Sequence, residues 1–194
     1  MARRYDQLID IVREAKPTRI AEIGVHKGLR AALMCREALK YRERVTYVGL
    51  DVFDLKDQQF HDDALNGKGM PSEDQARRRL EDIGPALTWQ FVKGDTRETL
   101  HGQTLDADLV FIDGDHRLEV IRGDYESVKG AKCVVFDDYY AKLVGDHCPV
   151  DLDRHGCNRL IDELKSEGRR VEVLSIADRC VHEAYAQLAV VWHE

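Results

Sequence analysis

Hydrophobic and polar positions fall into alternating blocks along the 194-residue chain. Short apolar runs occur at "RIAEIGV" (19–25), "VTYVGLD" (45–51), "LTWQFVKGD" (87–95), "DLVFIDGD" (108–115) and "CVVFDDYY" (133–140). Helix formers dominate "LRAALMCREALKYRE" (29–43) and "LEVIRGDYESVK" (118–129), which lie between them. Short, nearly continuous apolar runs fit strands buried on both faces. Strands that alternate with helices predict a parallel α/β sheet with helices on both faces. The end of the chain breaks this rhythm. After the helix "NRLIDELKSEG" (158–168), "RVEVLSI" (170–176) and "AQLAVVW" (186–192) follow with no helix between them, which predicts an antiparallel pair.

Residues 54–86 interrupt the pattern differently. They are polar and contain "NGKGMPSED", a loop signal, followed by "SEDQARRRLEDI", a helix with Ser72 as its N-cap. The segment exceeds what a crossover needs, so structural slack and a substrate lid both fit it. The opening "MARRYDQLIDIVREAK" has charge but no apolar core or small-residue cleavage site, and reads as an amphipathic helix rather than a signal peptide. No repeat, low-complexity tract or second domain is visible, so 1–194 is expected to form one domain.

Composition narrows the class. Apolar residues make up 43% and charged residues 34%, as in a globular chain. No run approaches the roughly 20 apolar residues of a membrane span, and the cytoplasm is the expected location. The five cysteines have no framework spacing and are expected to be reduced thiols; Cys35, Cys133 and Cys180 sit in apolar contexts as small core residues. A net charge of -7 gives no nucleic-acid footprint, and Arg77 to Arg79 read as a solvated helix face.

The chemistry collects at strand ends. Open parallel sheets bind ligands beyond the carboxyl ends of their strands. There this chain places Glu22, Asp51, Asp95, Asp113 and the pair Asp137–Asp138. Neighbouring strands lie about 4.8 Å apart, so Asp113, Asp137 and Asp138 meet if the fourth and fifth runs pair. Three such carboxylates repel unless protons or a cation compensate, which points to a hard divalent ion such as magnesium or calcium. Helix capping is the competing role, and Asp115 fits it. In the first turn, Gly24 and Gly28 form Gly-x-x-x-Gly, neither a dinucleotide fingerprint nor a phosphate loop. Asp51, 23 positions after Gly28, is placed to accept from both hydroxyls of a ribose.

Together these residues resemble the class I S-adenosylmethionine-dependent methyltransferases. "AEIGVHKG" is similar to their first motif, "YVGLDVF" to their second and "VKGDTRETL" to their adenine-side loop. "VFIDGDHRLEVIRGDYESV" followed by "VVFDDYY" resembles the metal-dependent O-methyltransferase branch. That branch holds macrocin- and mycinamicin-type sugar methyltransferases and the cephalosporin hydroxylase-like group, of the methyltransferase family 24 type. The resemblance implies a Rossmann-like, seven-stranded, mostly parallel sheet with an antiparallel last strand. It implies S-adenosylmethionine as cofactor, with Glu22, Gly24 and Gly28 at its methionine part, Asp51 at the ribose, and Asp95 and Thr96 near the adenine. It implies magnesium on Asp113, Asp137 and Asp138. Catechol-type relatives carry a catalytic lysine three residues beyond the first metal acid; here that offset holds His116, a natural base near neutral pH. Asp113 and His116 are therefore the expected catalytic pair.

Other polar residues have weaker claims. "GDHCPVDLDRHGCNRL" (145–160) offers His147, Cys148, His155 and Cys157 without the spacing of a zinc finger, and the 139–158 loop is expected on the substrate side. His147 is the reserve base. Tyr139 or Tyr140 packs over a substrate or simply ends a strand, and His26 lies in the cofactor turn. The acceptor that the resemblance implies is a small molecule: a sugar, a phenol or a natural-product intermediate. Neither nucleic acid nor membrane is an expected partner, and a homo-oligomer stays open. Two alternatives remain: a methyltransferase that binds no metal, and a nucleoside-binding protein without catalysis.

Overall fold

A computed structural model describes residues 3–55, 70–141, 155–179 and 184–193. Five strands alternate with helices: β1 (Arg19–Ile23), β2 (Val45–Asp51), β3 (Leu87–Lys93), β4 (Leu109–Ile112) and β5 (Cys133–Ala141). The helices are α1 (Arg4–Ala15), α2 (Leu29–Ala38), α3 (Glu73–Glu81), the single turn α4 (Thr96–Thr99), α5 (Leu118–Val128) and α6 (Cys157–Ser166). The chain then runs through β6 (Arg170–Val173), β7 (Asp178–Arg179) and β8 (Tyr185–Trp192). The sheet order is β3-β2-β1-β4-β5-β8-β6, with β7 paired to β8. The first five strands pair in parallel, and β8 runs antiparallel to β5, β6 and β7.

The expected parallel sheet and its reversed end are both present. β8 enters between β5 and β6, and β7 adds an eighth strand to the expected seven. Strand order reverses between β1 and β4, where a sheet of this kind opens a crevice. The helix expected over 29–43 stops at Ala38, with Leu39 as its C-cap. Ser72 caps α3 as expected, accepting from the Gln75 N–H at 3.3 Å. Residues 66–69 of the loop signal, the 142–154 part of the substrate-side segment, His147, Cys148 and Cys180 lie outside the described residues. Among the described residues, no helix is long and apolar enough to cross a membrane.

Period-two alternation divides the core into two layers. Ile20, Leu109, Phe111, Cys133 and Val135 face Leu8, Val12, Met34 and Cys35 of α1 and α2. Ala21, Ile23, Val110, Ile112, Val134 and Phe136 face Ile121, Val128, Leu160 and Ile161 of α5 and α6. Asp113 and Asp137 continue the first parity, so the strand ends aim them toward the α1–α2 layer.

Helix α1 is fixed at both ends. Its buried stripe is Arg4, Tyr5, Leu8, Ile11 and Val12, at helical spacing. Its N-terminal N–H groups are capped from a distance: Asp178 accepts from the backbone of Arg3 at 3.0 Å and of Arg4 at 2.6 Å. At the other end Arg13 pairs with Glu37 of α2 at 2.8 Å. Replacing Asp178 with Ala removes the cap and should cost about 1 kcal/mol, read as a lower urea midpoint at unchanged slope. An unchanged midpoint would show that the helix end is held by other contacts.

Candidate active site

Beyond the carboxyl ends of β1, β2 and β4 lies a cleft. Its walls include Gly24, Asp51, Asp95, Thr96, Asp113 and His116. Glu22, Gly28, Asp137 and Asp138, also singled out in the sequence, are not among its walls. Asp137 instead borders a smaller cavity that shares Asp113 and His116 with the cleft.

Gly24 and Gly28 serve packing around the cleft. A Cβ on Gly24 (φ +92°) would lie 2.0 Å from the carbonyl oxygen of Asp113, where the ends of β1 and β4 close together. A Cβ on Gly28 (φ +72°) would meet the Cα of Ala76 in α3 at 2.7 Å. Glu22 is fully buried behind them and accepts from the Tyr47 hydroxyl at 2.5 Å. Burial raises its pKa to about 8 against the opposing pull of Tyr47 and Arg30, so Glu22 is mainly protonated at neutral pH.

Asp51 is held rigidly. Its carboxylate accepts from the backbone N–H of His26 at 2.7 Å and of Phe53 at 2.6 Å. Both donors have positive φ, +54° and +44°. Such non-glycine conformations cost about 1–3 kcal/mol each and persist where surrounding structure imposes them. Asp95 caps α4, accepting from the Arg97 N–H and guanidinium at 3.0 Å. Thr96 bonds Asp124 of α5, a buried acid whose pKa burial pushes up to about 7. Asp115 does not supply the side-chain cap of α5; it grips the backbone and guanidinium of Arg117, the residue at that helix's N-cap.

The acidic strand ends converge. β4 and β5 pair through Ile112 and Phe136, which sets Asp113 and Asp137 side by side. A bulge between Phe136 and Tyr139 then buries both Asp137 and Asp138, with Asp138 at φ +58°. His116 is buried and its Nδ1 lies 3.4 Å from Asp138 Oδ2, an oxygen with no hydrogen-bond partner among the described residues. The His155 ring stands 5.5 Å from those of both His116 and Tyr140. Cys157 packs in the core layer of α5 and α6, and the three described cysteines are free thiols.

Sequence reading overlooked the cations here. Arg4 reaches Asp137 through Nε at 2.8 Å and Nη2 at 3.1 Å. Tyr5 donates to the same carboxylate at 2.5 Å, and the Asp138 backbone N–H does so at 2.9 Å. Arg30 lines the cleft and stacks on Tyr5 at 4.2 Å, with Arg4 over the same ring at 4.5 Å. Arg4 and Tyr5 were visible only as part of an amphipathic helix, since nothing local tells a long-range partner. The three carboxylates as folded do not offer a divalent ion an open donor set, because Asp137 is saturated by protein donors. Among the described residues, no group of three or more His, Cys, Asp or Glu side chains is arranged to hold a metal.

The fold and the strand-end cleft define a class I methyltransferase. A family model described as "Methyltransferase domain", of the methyltransferase family 24 type, matches residues 21–139, and the chain belongs to that family. Its fold is shared with a putative O-methyltransferase from Klebsiella pneumoniae (TM-score 0.60, 17% identity, 99% of this chain and 80% of that one). The O-methyltransferase TomG from Streptomyces achromogenes, solved with S-adenosylmethionine, is similar at TM-score 0.59 and 19% identity, over 97% and 79% of the two chains. An O-methyltransferase from Bacillus cereus, solved with S-adenosylhomocysteine, has TM-score 0.59 and 16% identity, over 96% and 79%. No curated protein matches the chain.

A carboxyl whose pKa rises on folding binds its proton more tightly when folded. Glu22 therefore costs stability as pH climbs from the ordinary carboxylate range to about 8, and adds no further loss above that. Glu22→Gln keeps an acceptor for Tyr47 and removes the cost. Its stability relative to wild type should rise between pH 5 and pH 9, by urea denaturation. A difference independent of pH would contradict a neutral Glu22.

Proposed function

We propose that the protein transfers a methyl group from S-adenosylmethionine to a hydroxyl oxygen of a small molecule. The observation that carries this reading is the cleft, which joins the rigid acid Asp51 at one strand end to His116 at another. Asp51 suits a ribose, because each of its oxygens retains accepting capacity beyond the backbone bond it takes. Ile23, Leu50 and Val120 give the cleft apolar walls, and Asp95 and Thr96 also line it, which supports their reading as neighbours of an adenine. Arg30 supplies a cation suited to a carboxylate. The donor and apolar groups thus fit a nucleoside bearing an amino acid.

Bound S-adenosylmethionine supplies an electrophilic methyl group on a sulfonium. The chain's own part is to orient the acceptor and remove its proton. In the proposed reaction His116 takes the hydroxyl proton, and Asp138, facing Nδ1 at 3.4 Å, stabilises the resulting imidazolium. Asp113 lies in the same cleft and orients the acceptor. Sugars, phenols and natural-product hydroxyls all suit this chemistry.

A magnesium-assisted version is the second reading. The convergence of Asp113, Asp137 and Asp138 favours it, as does the buried Oδ2 of Asp138, which has no hydrogen-bond partner among the described residues. It requires Arg4 to release Asp137.

Calorimetry should give saturable binding of S-adenosylhomocysteine, weakened by about tenfold or more in Asp51→Ala, which loses a charged hydrogen-bond acceptor. His116→Ala should retain that affinity while methyl transfer to a panel of hydroxylated acceptors falls by about 10²–10⁴-fold. Undetectable binding by the wild type would sink the reading, and full activity of His116→Ala would remove the base.

A further inference from the structure

We propose that Arg4, delivered by helix α1, is the resident cation of the acidic strand ends, filling the electrostatic role that a divalent ion would otherwise take. The geometry is specific. Arg4 Nε and Nη2 grip Asp137 at 2.8 and 3.1 Å, and Nη2 also lies 3.5 Å from Asp138 Oδ1. A two-pronged guanidinium contact fixes the carboxylate in plane, which an ammonium or a hydrated ion does not do. Arg4 is itself buried, and against that burial Asp137, Tyr5 and Asp138 together keep its charged form favoured.

Its position does not depend on the side chain alone. The backbone N–H of Arg4 is bound by Asp178, its Nη1 lies 3.8 Å from the same carboxylate, and Tyr5 and Leu8 anchor the following turn in the core. A second guanidinium, Arg30, stands on the Tyr5 ring and is coupled to Asp113 and Asp137. Three carboxylates are thus faced by two fixed positive charges. A divalent ion on Asp137 would have to break the two-pronged Arg4 contact inside a buried site, leaving that guanidinium only its longer contacts with Asp138 and Asp178.

This inference concerns the site of the proposed reaction but does not rest on methyl transfer, since cation binding is read without turnover. Manganese is the probe, followed by electron paramagnetic resonance and by thermal unfolding with magnesium or a chelator. Wild type should show no saturable manganese binding at millimolar metal and no change in unfolding temperature with magnesium or chelator. Arg4→Ala frees Asp137 and should bind manganese at least about tenfold more tightly than wild type, with its lost stability restored by magnesium and not by equivalent ionic strength of potassium chloride. Arg4→Gln, which keeps hydrogen bonds to Asp137 without the charge, provides the same comparison if the alanine variant does not fold. Saturable manganese binding by wild type overturns the proposal, whether or not either variant folds. A silent wild type with an equally silent folded variant also overturns it, because Arg4 would then not be what excludes the ion. Failure to bind S-adenosylhomocysteine counts against the methyl-transfer reading instead and leaves this result standing.

Discussion

The carboxylate of Asp137 is the point on which the acidic edge of the sheet depends. β5 must end beside β4, and both strands finish in acids. A bulge then buries two of those acids together. Left alone, such a group would have to take up protons or unfold. Arg4, Tyr5 and the Asp138 N–H saturate Asp137 instead, and their geometry ties a helix from the start of the described chain to the middle of the sheet. A buried ion pair adds little over an apolar replacement, but losing one partner costs about 3–5 kcal/mol. The pair therefore specifies where α1 sits more than it adds to overall stability, and it fixes the shape of the site at the same time.

The same edge sorts its carboxyls by environment. Glu22, enclosed beside Tyr47, keeps its proton to about pH 8. Asp51, also buried, is bound by two backbone N–H groups and faces the cleft. Asp138 faces an imidazole. Residues of one chemical type thus acquire different surroundings: a phenol hydroxyl for Glu22, two backbone donors for Asp51 and an imidazole for Asp138.

Much of the fold was legible because its signals are local. Strands buried on both faces announce themselves as apolar runs, and β2 spans the residues expected of it, Val45–Asp51. Ser72 reads as a cap because capping chemistry spans only three residues. The family was legible for the same reason, its motifs being strand ends and turns. What stayed hidden depends on distance. Nothing near Arg4 marks it as the partner of a residue more than a hundred positions away, and Asp178 caps α1 across nearly the whole described chain. The missing side chains of Gly24 and Gly28 also make room for Asp113 and Ala76, contacts that the local sequence does not display. The acidic trio was read as charges without protein partners because the balancing cations come from other elements.

The most direct test of this account is a crystal structure of the protein with S-adenosylhomocysteine, grown with excess manganese and with data collected at the manganese absorption edge. The account predicts the ligand in the strand-end cleft, its ribose on Asp51, Arg4 still clasping Asp137, and no anomalous peak between Asp113 and Asp137. A manganese peak there with Arg4 displaced, or a ligand bound elsewhere, would contradict it.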